Sequence, residues 1–131
     1  MTACLLDASA VLALIRREPG EEVVRPRLAE ARLAAVNLAE VLAKHVDHGA
    51  DPRPVRRELE QLGVTIVPVL PADAELQAAV RARDAERPGV PRLPLADRLC
   101  LAVALRLELP VLTADAAWLD LDLPVAVELI R

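Results

Sequence analysis

The chain has 131 residues, a formal net charge of −4 and 54% apolar residues, with Trp118 as its one tryptophan and neither Phe nor Tyr. This length suits one domain over residues 1–131, and the apolar content excludes intrinsic disorder. The missing aromatics exclude base-stacking platforms, and the negative charge argues against a duplex-binding module with a broad basic face. Residues 3–7 (ACLLD) are an apolar run closed by an acid, the pattern of a buried strand. A helix follows with Val11, Leu12, Leu14 and Ile15 as its apolar part, and Arg16 and Arg17 at its C-terminal end, where the dipole favours cations. Glu18-Pro19-Gly20-Glu21 interrupts the chain, and a second helix runs to about Glu30, kinked or shortened by Pro26. Residues 32–36 (RLAAV) read as a strand, Asn37 as an N-cap with Glu40 at N3, and residues 38 to about 48 as a helix ending at Gly49. Asp51-Pro52-Arg53-Pro54 opens a helix to Leu62-Gly63, and residues 64–70 (VTIVPVL) are a β-branched strand broken at Pro68. Pro71-Ala72-Asp73 opens a helix to about Arg87, and residues 88–94 form a proline-rich loop. Helix 95–108 is apolar almost all round and is expected to be buried. Residues 110–113 and 124–129 (PVAVEL) are the last two strands. The alternation predicts an α/β sandwich with a mostly parallel sheet, where ligands bind beyond the carboxyl ends of the strands.

The longest uncharged stretch, Gln61 to Ala72, is twelve residues. A membrane span needs roughly 20 apolar residues, so none is expected. The start of the chain lacks the basic region of a signal peptide, and Cys4 and Cys100 lie in apolar runs that suit buried free thiols. Together these point to the cytoplasm.

Four acids sit at strand ends or helix starts: Asp7, Glu40, Asp97 and Asp115. Each alone could cap a helix or complement its dipole. Asp7 and Asp97, however, are embedded in ACLLDASAVLALI and LPLADRLCLAVAL, where a charge is costly unless paired or metal-bound. If their strands are neighbours the carboxylates converge, and their repulsion raises at least one pKa. A hard divalent cation relieves that repulsion, and an all-oxygen donor set points to Mg²⁺, with Mn²⁺ possible, over Zn²⁺.

LLDASAVLALI near the start, VNLAEVL at 36–42, and PLADRLCLAVALRLELPVLTAD at 94–115 followed by Trp118 resemble the PIN-domain ribonucleases, and most nearly the VapC toxins of bacterial toxin–antitoxin pairs. The resemblance runs in order along nearly the whole chain. It implies a PIN-like α/β/α sandwich and an acidic quartet falling on Asp7, Glu40, Asp97 and Asp115 as catalytic metal ligands. Ser9 and Thr113 match small hydroxyl residues lining such a site, and Asn37 matches a polar residue before the glutamate. Ala96 stands where many relatives carry glycine. The resemblance further implies an RNA substrate, a cognate antitoxin and a homodimer.

Other features have plainer readings. Arg98 is either an RNA ligand or an ion-pair partner of Asp97 or Glu40. Arg16, Arg17, Arg53, Arg56 and Arg57 either flank the groove or form solvated helix faces. His45 and His48, at i and i+3, read as surface residues because no third soft ligand is near. Trp118 is expected to pack under the site loop. Two rival functions are a catalytically inactive interaction module and a Mg²⁺-dependent phosphotransfer or receiver domain. Against the receiver, Asp7-Ala8-Ser9 lacks a second Asp, and the sole lysine, Lys44, falls in a helix.

Overall fold

In the computed structural model, which describes residues 2–131, five short strands lie side by side and pair in parallel throughout. They are β1 (Cys4–Leu6), β2 (Ala31–Ala34), β3 (Thr65–Val67), β4 (Val111–Thr113) and β5 (Val127–Leu129), in the spatial order β3-β2-β1-β4-β5. The chain steps outward from β1 to β3 on one side, then returns to place β4 on the other. The gap between β1 and β4 is therefore a topological switch point, where helices leave in opposite directions and a crevice opens at the carboxyl ends.

Both faces of the sheet are covered, which is why the strands read as continuous apolar runs. Successive residues alternate between two cores. Cys4, Leu6 and Leu33 face a core built with Val11, Leu14, Val41 and Leu59. Leu5, Ala34 and Val111 face a second core built with Val80, Leu101, Val103 and Trp118. The first is roofed by α1 (Ala8–Arg16), α3 (Ala35–Asp47) and α4 (Val55–Gln61), and the second by α5 (Pro71–Ala85) and α6 (Leu95–Leu107). The α/β architecture with its parallel sheet matches the expectation. Both cysteines are buried and free. No helix among the described residues is long and apolar enough to cross a membrane.

Several local expectations are corrected. The helix after β2 starts at Ala35, so Asn37 is not an N-cap; it lies inside the first turn, and Ala34 is the capping residue. Asn37 is buried, and its amide has work elsewhere. The second helix is only α2 (Glu21–Val24), continued as a 3₁₀ turn over Arg25–Glu30. Pro26 lacks the N–H needed to continue the α ladder. Helix α6 is not buried all round: Leu95 is 53% exposed, while Cys100 to Ala104 are inside.

Candidate active site

Asp7 leaves β1 at its carboxyl end and becomes the N-cap of α1. Its Oδ1 accepts from the Ala10 amide at 2.8 Å and from Ser9 Oγ at 2.7 Å, and its Oδ2 accepts from Thr113 Oγ1 at 2.5 Å. Thr113, wholly buried, closes β4, so this bond spans the switch point. Ser9 Oγ also accepts from the Ala114 amide at 2.9 Å, and Thr113 Oγ1 accepts from the Asp115 amide at 3.1 Å. The two hydroxyls thus stitch together the chain segments that carry Asp7 and Asp115. Asp115 caps the 3₁₀ turn Ala116–Asp120 by accepting from the Ala117 amide. Capping and membership of the acidic cluster are compatible, since a carboxylate oxygen that accepts one bond retains a lone pair.

Glu40 is oriented from its own helix. Asn37 Nδ2 donates to Glu40 Oε1 at 2.8 Å and reaches the Ala96 carbonyl at 3.5 Å, linking α3 to the first turn of α6. Asp97 sits in that turn. Asp7, Glu40, Asp97 and Asp115 all line one cavity of about 330 Å³. Burial, then the charges of Glu40, Asp7 and Asp115, push the Asp97 carboxyl up to about 7, opposed by the nearby Trp118 indole N–H. Asp7 is also raised, chiefly by burial, against the pull of its Thr113, Ser9 and Ala10 bonds. Two buried polar atoms here have no hydrogen-bond partner: Asn37 Oδ1 and Trp118 Nε1. Such groups are costly unless a ligand or water completes them.

The donor set is all oxygen, and its charge is excessive for an empty cavity. It therefore suits a hard divalent cation in chemistry and charge. In distance it is open: among the described residues, no three His, Cys, Asp or Glu side chains are grouped closely enough to hold a metal ion. Binding would have to draw the carboxylates inward.

Arg98 takes neither role expected of it. It is buried, with Nε donating to Gln77 Oε1 at 2.9 Å and Nη1 to the Leu93 carbonyl at 2.6 Å. It fastens the loop before α6 to α5. A second clamp lies beside it. Asp84, 1% exposed, accepts from Arg87 Nη2 at 2.6 Å and from the Leu93 amide at 2.7 Å. Arg87 Nη1 then donates to the Ala117 carbonyl at 2.5 Å, in the turn that Asp115 caps. Burial would raise the Asp84 carboxyl, but its Arg87 and Leu93 bonds and the charge of Arg92 hold it below its ordinary value.

Of the arginines considered as flanking groups, only Arg16 lines the acidic cavity. Arg53 and Arg56 pair with Asp51 and Glu60 at the surface, and Arg17 lines a separate groove beside α4. Lys44 and Arg131, unassigned from the sequence, do line the cavity. Lys44 carried a usable signal, since it follows Glu40 by four residues on one helix face. Arg131 carried none, because its position depends on which strand β5 joins. His48 is exposed and His45 half-buried, and His45 Nδ1 lies 3.0 Å from the Val41 carbonyl of its own helix. Trp118 is 1% exposed and packs in the second core.

The family model described as PIN domain matches residues 4–123. The chain belongs to the PIN domain family. Solved structures similar to this PIN chain agree in fold over almost their whole lengths. A toxin-antitoxin complex from Klebsiella pneumoniae has a TM-score of 0.77 at 17% identity, with 98% of each chain covered. FitAcB from Neisseria gonorrhoeae has a TM-score of 0.67 at 26% identity, with 95% of each covered. VapBC-5 from Mycobacterium tuberculosis, described as a member of the VapBC family of toxin-antitoxin systems, has a TM-score of 0.63 at 28% identity, with 100% of this chain and 99% of that one covered. No curated protein matches the sequence.

Proposed function

We propose that this PIN chain is a metal-dependent endoribonuclease, the toxin of a toxin–antitoxin pair, hydrolysing RNA phosphodiester bonds with water. The observation that carries the proposal is the gathering of four carboxylates in one cavity, where burial first and then their mutual charge push the Asp97 carboxyl up to about 7. A protein that gathers uncompensated charge at a switch point leaves room for a counter-ion there. The toxin assignment is supported by the likeness to VapBC-5, 28% identical and described as a member of the VapBC family of toxin-antitoxin systems.

Asp7, Asp97, Glu40 and Asp115 would hold Mg²⁺, or Mn²⁺ in its place. When bound, the ion supplies a more acidic water and offsets charge on the phosphoryl oxygens. Asp7 is fixed in direction by its three donors. Asp97 would serve as a ligand in its ionised form. Glu40, held by Asn37, orients the attacking water and takes its proton. Asp115, at the exposed edge of the cavity, completes the acidic set from the β4 side. Ser9 and Thr113 hold the carboxylates in direction.

The test is incubation of the purified protein with single-stranded RNA. Internal cleavage is expected with Mg²⁺ and none with EDTA. Asp7→Asn and Asp97→Asn should each lower the rate by at least about 10²-fold while circular dichroism stays unchanged. Undiminished cleavage in EDTA, or in either variant, overturns the assignment. Expression alone should arrest growth, and co-expression of a cognate antitoxin should relieve the arrest.

A further inference from the structure

Granting the ribonuclease reading above, on which this rests, we propose that Arg16, Lys44 and Arg131 form a phosphate-binding rim on the acidic cavity, gripping backbone phosphates next to the one that sits over the acids. All three line the same cavity as Asp7, Glu40, Asp97 and Asp115. Among the described residues none of the three forms an ion pair, although Glu18 and the four acids share that lining. Arg53, Arg56 and Arg106, by contrast, are each committed to a carboxylate, although no acid cluster stands beside them. Three cations without a carboxylate partner thus stand beside a surplus of acids, kept from them by the fold.

The separation follows from helix geometry. On α1, Ser9, Leu12 and Arg16 lie at i, i+3 and i+7, so one face runs from the acidic floor outward. On α3, Asn37, Glu40 and Lys44 repeat that spacing, and Lys44 stands about 6 Å of helix rise beyond Glu40. Acids occupy the inner ends of both helices and cations the outer ends. His48 brings those outer ends together: its Nδ1 lies 2.8 Å from the Lys44 carbonyl and 3.2 Å from Arg16 Nη2. Arg131 arrives from β5, with its Nη1 donating to the Pro19 carbonyl at 3.0 Å. The neighbouring Ile130 amide bonds the Thr113 carbonyl, which fixes the approach.

Trp118 is among the lining residues of the same cavity, with its buried indole N–H close to the Asp97 carboxyl. The chain has no other aromatic ring of the Phe, Tyr or Trp type. Successive bases therefore have no stacking platform, and single-strand affinity must come from phosphate contacts.

The experiment uses the full chain carrying Asp97→Asn, which binds without cutting, and a fluorescein-labelled mixed-sequence RNA hexamer in Mg²⁺. Anisotropy gives Kd across a KCl series. Each lost phosphate contact should lower the magnitude of the log K against log salt slope by about 0.7. Lys44→Ala and Arg131→Ala should each show that drop, Arg16→Ala/Lys44→Ala about twice it, and Lys44→Arg should restore it. Arg57→Ala, on α4 away from the cavity, should leave slope and Kd unchanged. If the Asp97→Asn chain binds RNA yet the rim variants keep its Kd and slope, the rim is wrong and the nuclease reading stands. If the hexamer is neither bound by that chain nor cut by the unsubstituted one, both fall.

Discussion

Asp97 retains its proton to about pH 7 because it is half-buried and faces Glu40, Asp7 and Asp115. An unfolded aspartate titrates near its ordinary value of 3.8. Between these two pH values only the folded chain holds the proton, so folding stability falls as pH rises, and above about 7 the full penalty applies. Asp97→Asn should therefore raise the stability of the metal-free protein at pH 8 by about 1–2 kcal/mol, after discounting for solvent around this partly exposed group. At pH 4 it should change stability little. Thermal melts in EDTA at the two pH values check this, and Mg²⁺ should raise the melting temperature of the parent more than that of the variant. The acids were legible in the sequence because charges interrupt apolar runs there. Arg98 was misread for a geometric reason. Adjacent residues on a helix point about 100° apart, so adjacency to Asp97 sends Arg98 to the opposite contact, Gln77 and Leu93. Asn37 was misread because cap residues and helix-interior amides look alike until the strand end is known.

Helix starts and proline breaks were largely readable, since caps, Pro and Gly act locally. The loop at 88–94 was recognisable from its prolines, yet nothing local revealed what fixes it. Asp84 does so from the end of α5, accepting from Arg87 and from the Leu93 amide, while Arg92 bonds the Asp84 carbonyl. Arg87 extends the clamp to Ala117, so one buried carboxylate joins α5, the entry to α6 and the turn beneath Asp115. Asp84→Ala leaves Arg87 and the Leu93 amide without their acceptor. A loss of about 3 kcal/mol is expected, read as a lower urea midpoint at unchanged slope. Arg87→Ala should also weaken cleavage, by freeing the Ala117 carbonyl, with the larger change in kcat.

Strand order is the part of the fold that no window of sequence carried. Five strands of three or four residues each have weak local signatures, and their adjacency is decided by long-range packing. That adjacency nevertheless makes the site, since Asp7 and Thr113 meet only because β1 and β4 are neighbours. Its far end depends on one glycine. Gly20 has φ +103°, and a Cβ there would lie 2.7 Å from the Ile130 side chain and 2.9 Å from its carbonyl oxygen. Gly20→Ala should cost about 2–3 kcal/mol by strain and overpacking, measured by denaturant titration, and should displace β5 and Arg131 together. Trp118 has a consequence of a different kind. It is the sole strong fluorophore of the chain, sealed in a core yet bordering the acidic cavity through its indole edge. Ultraviolet emission from this protein is thus a single-site optical signal with no tyrosine background. Unfolding can be followed by light in the unlabelled molecule, and so could the cation and RNA binding proposed above.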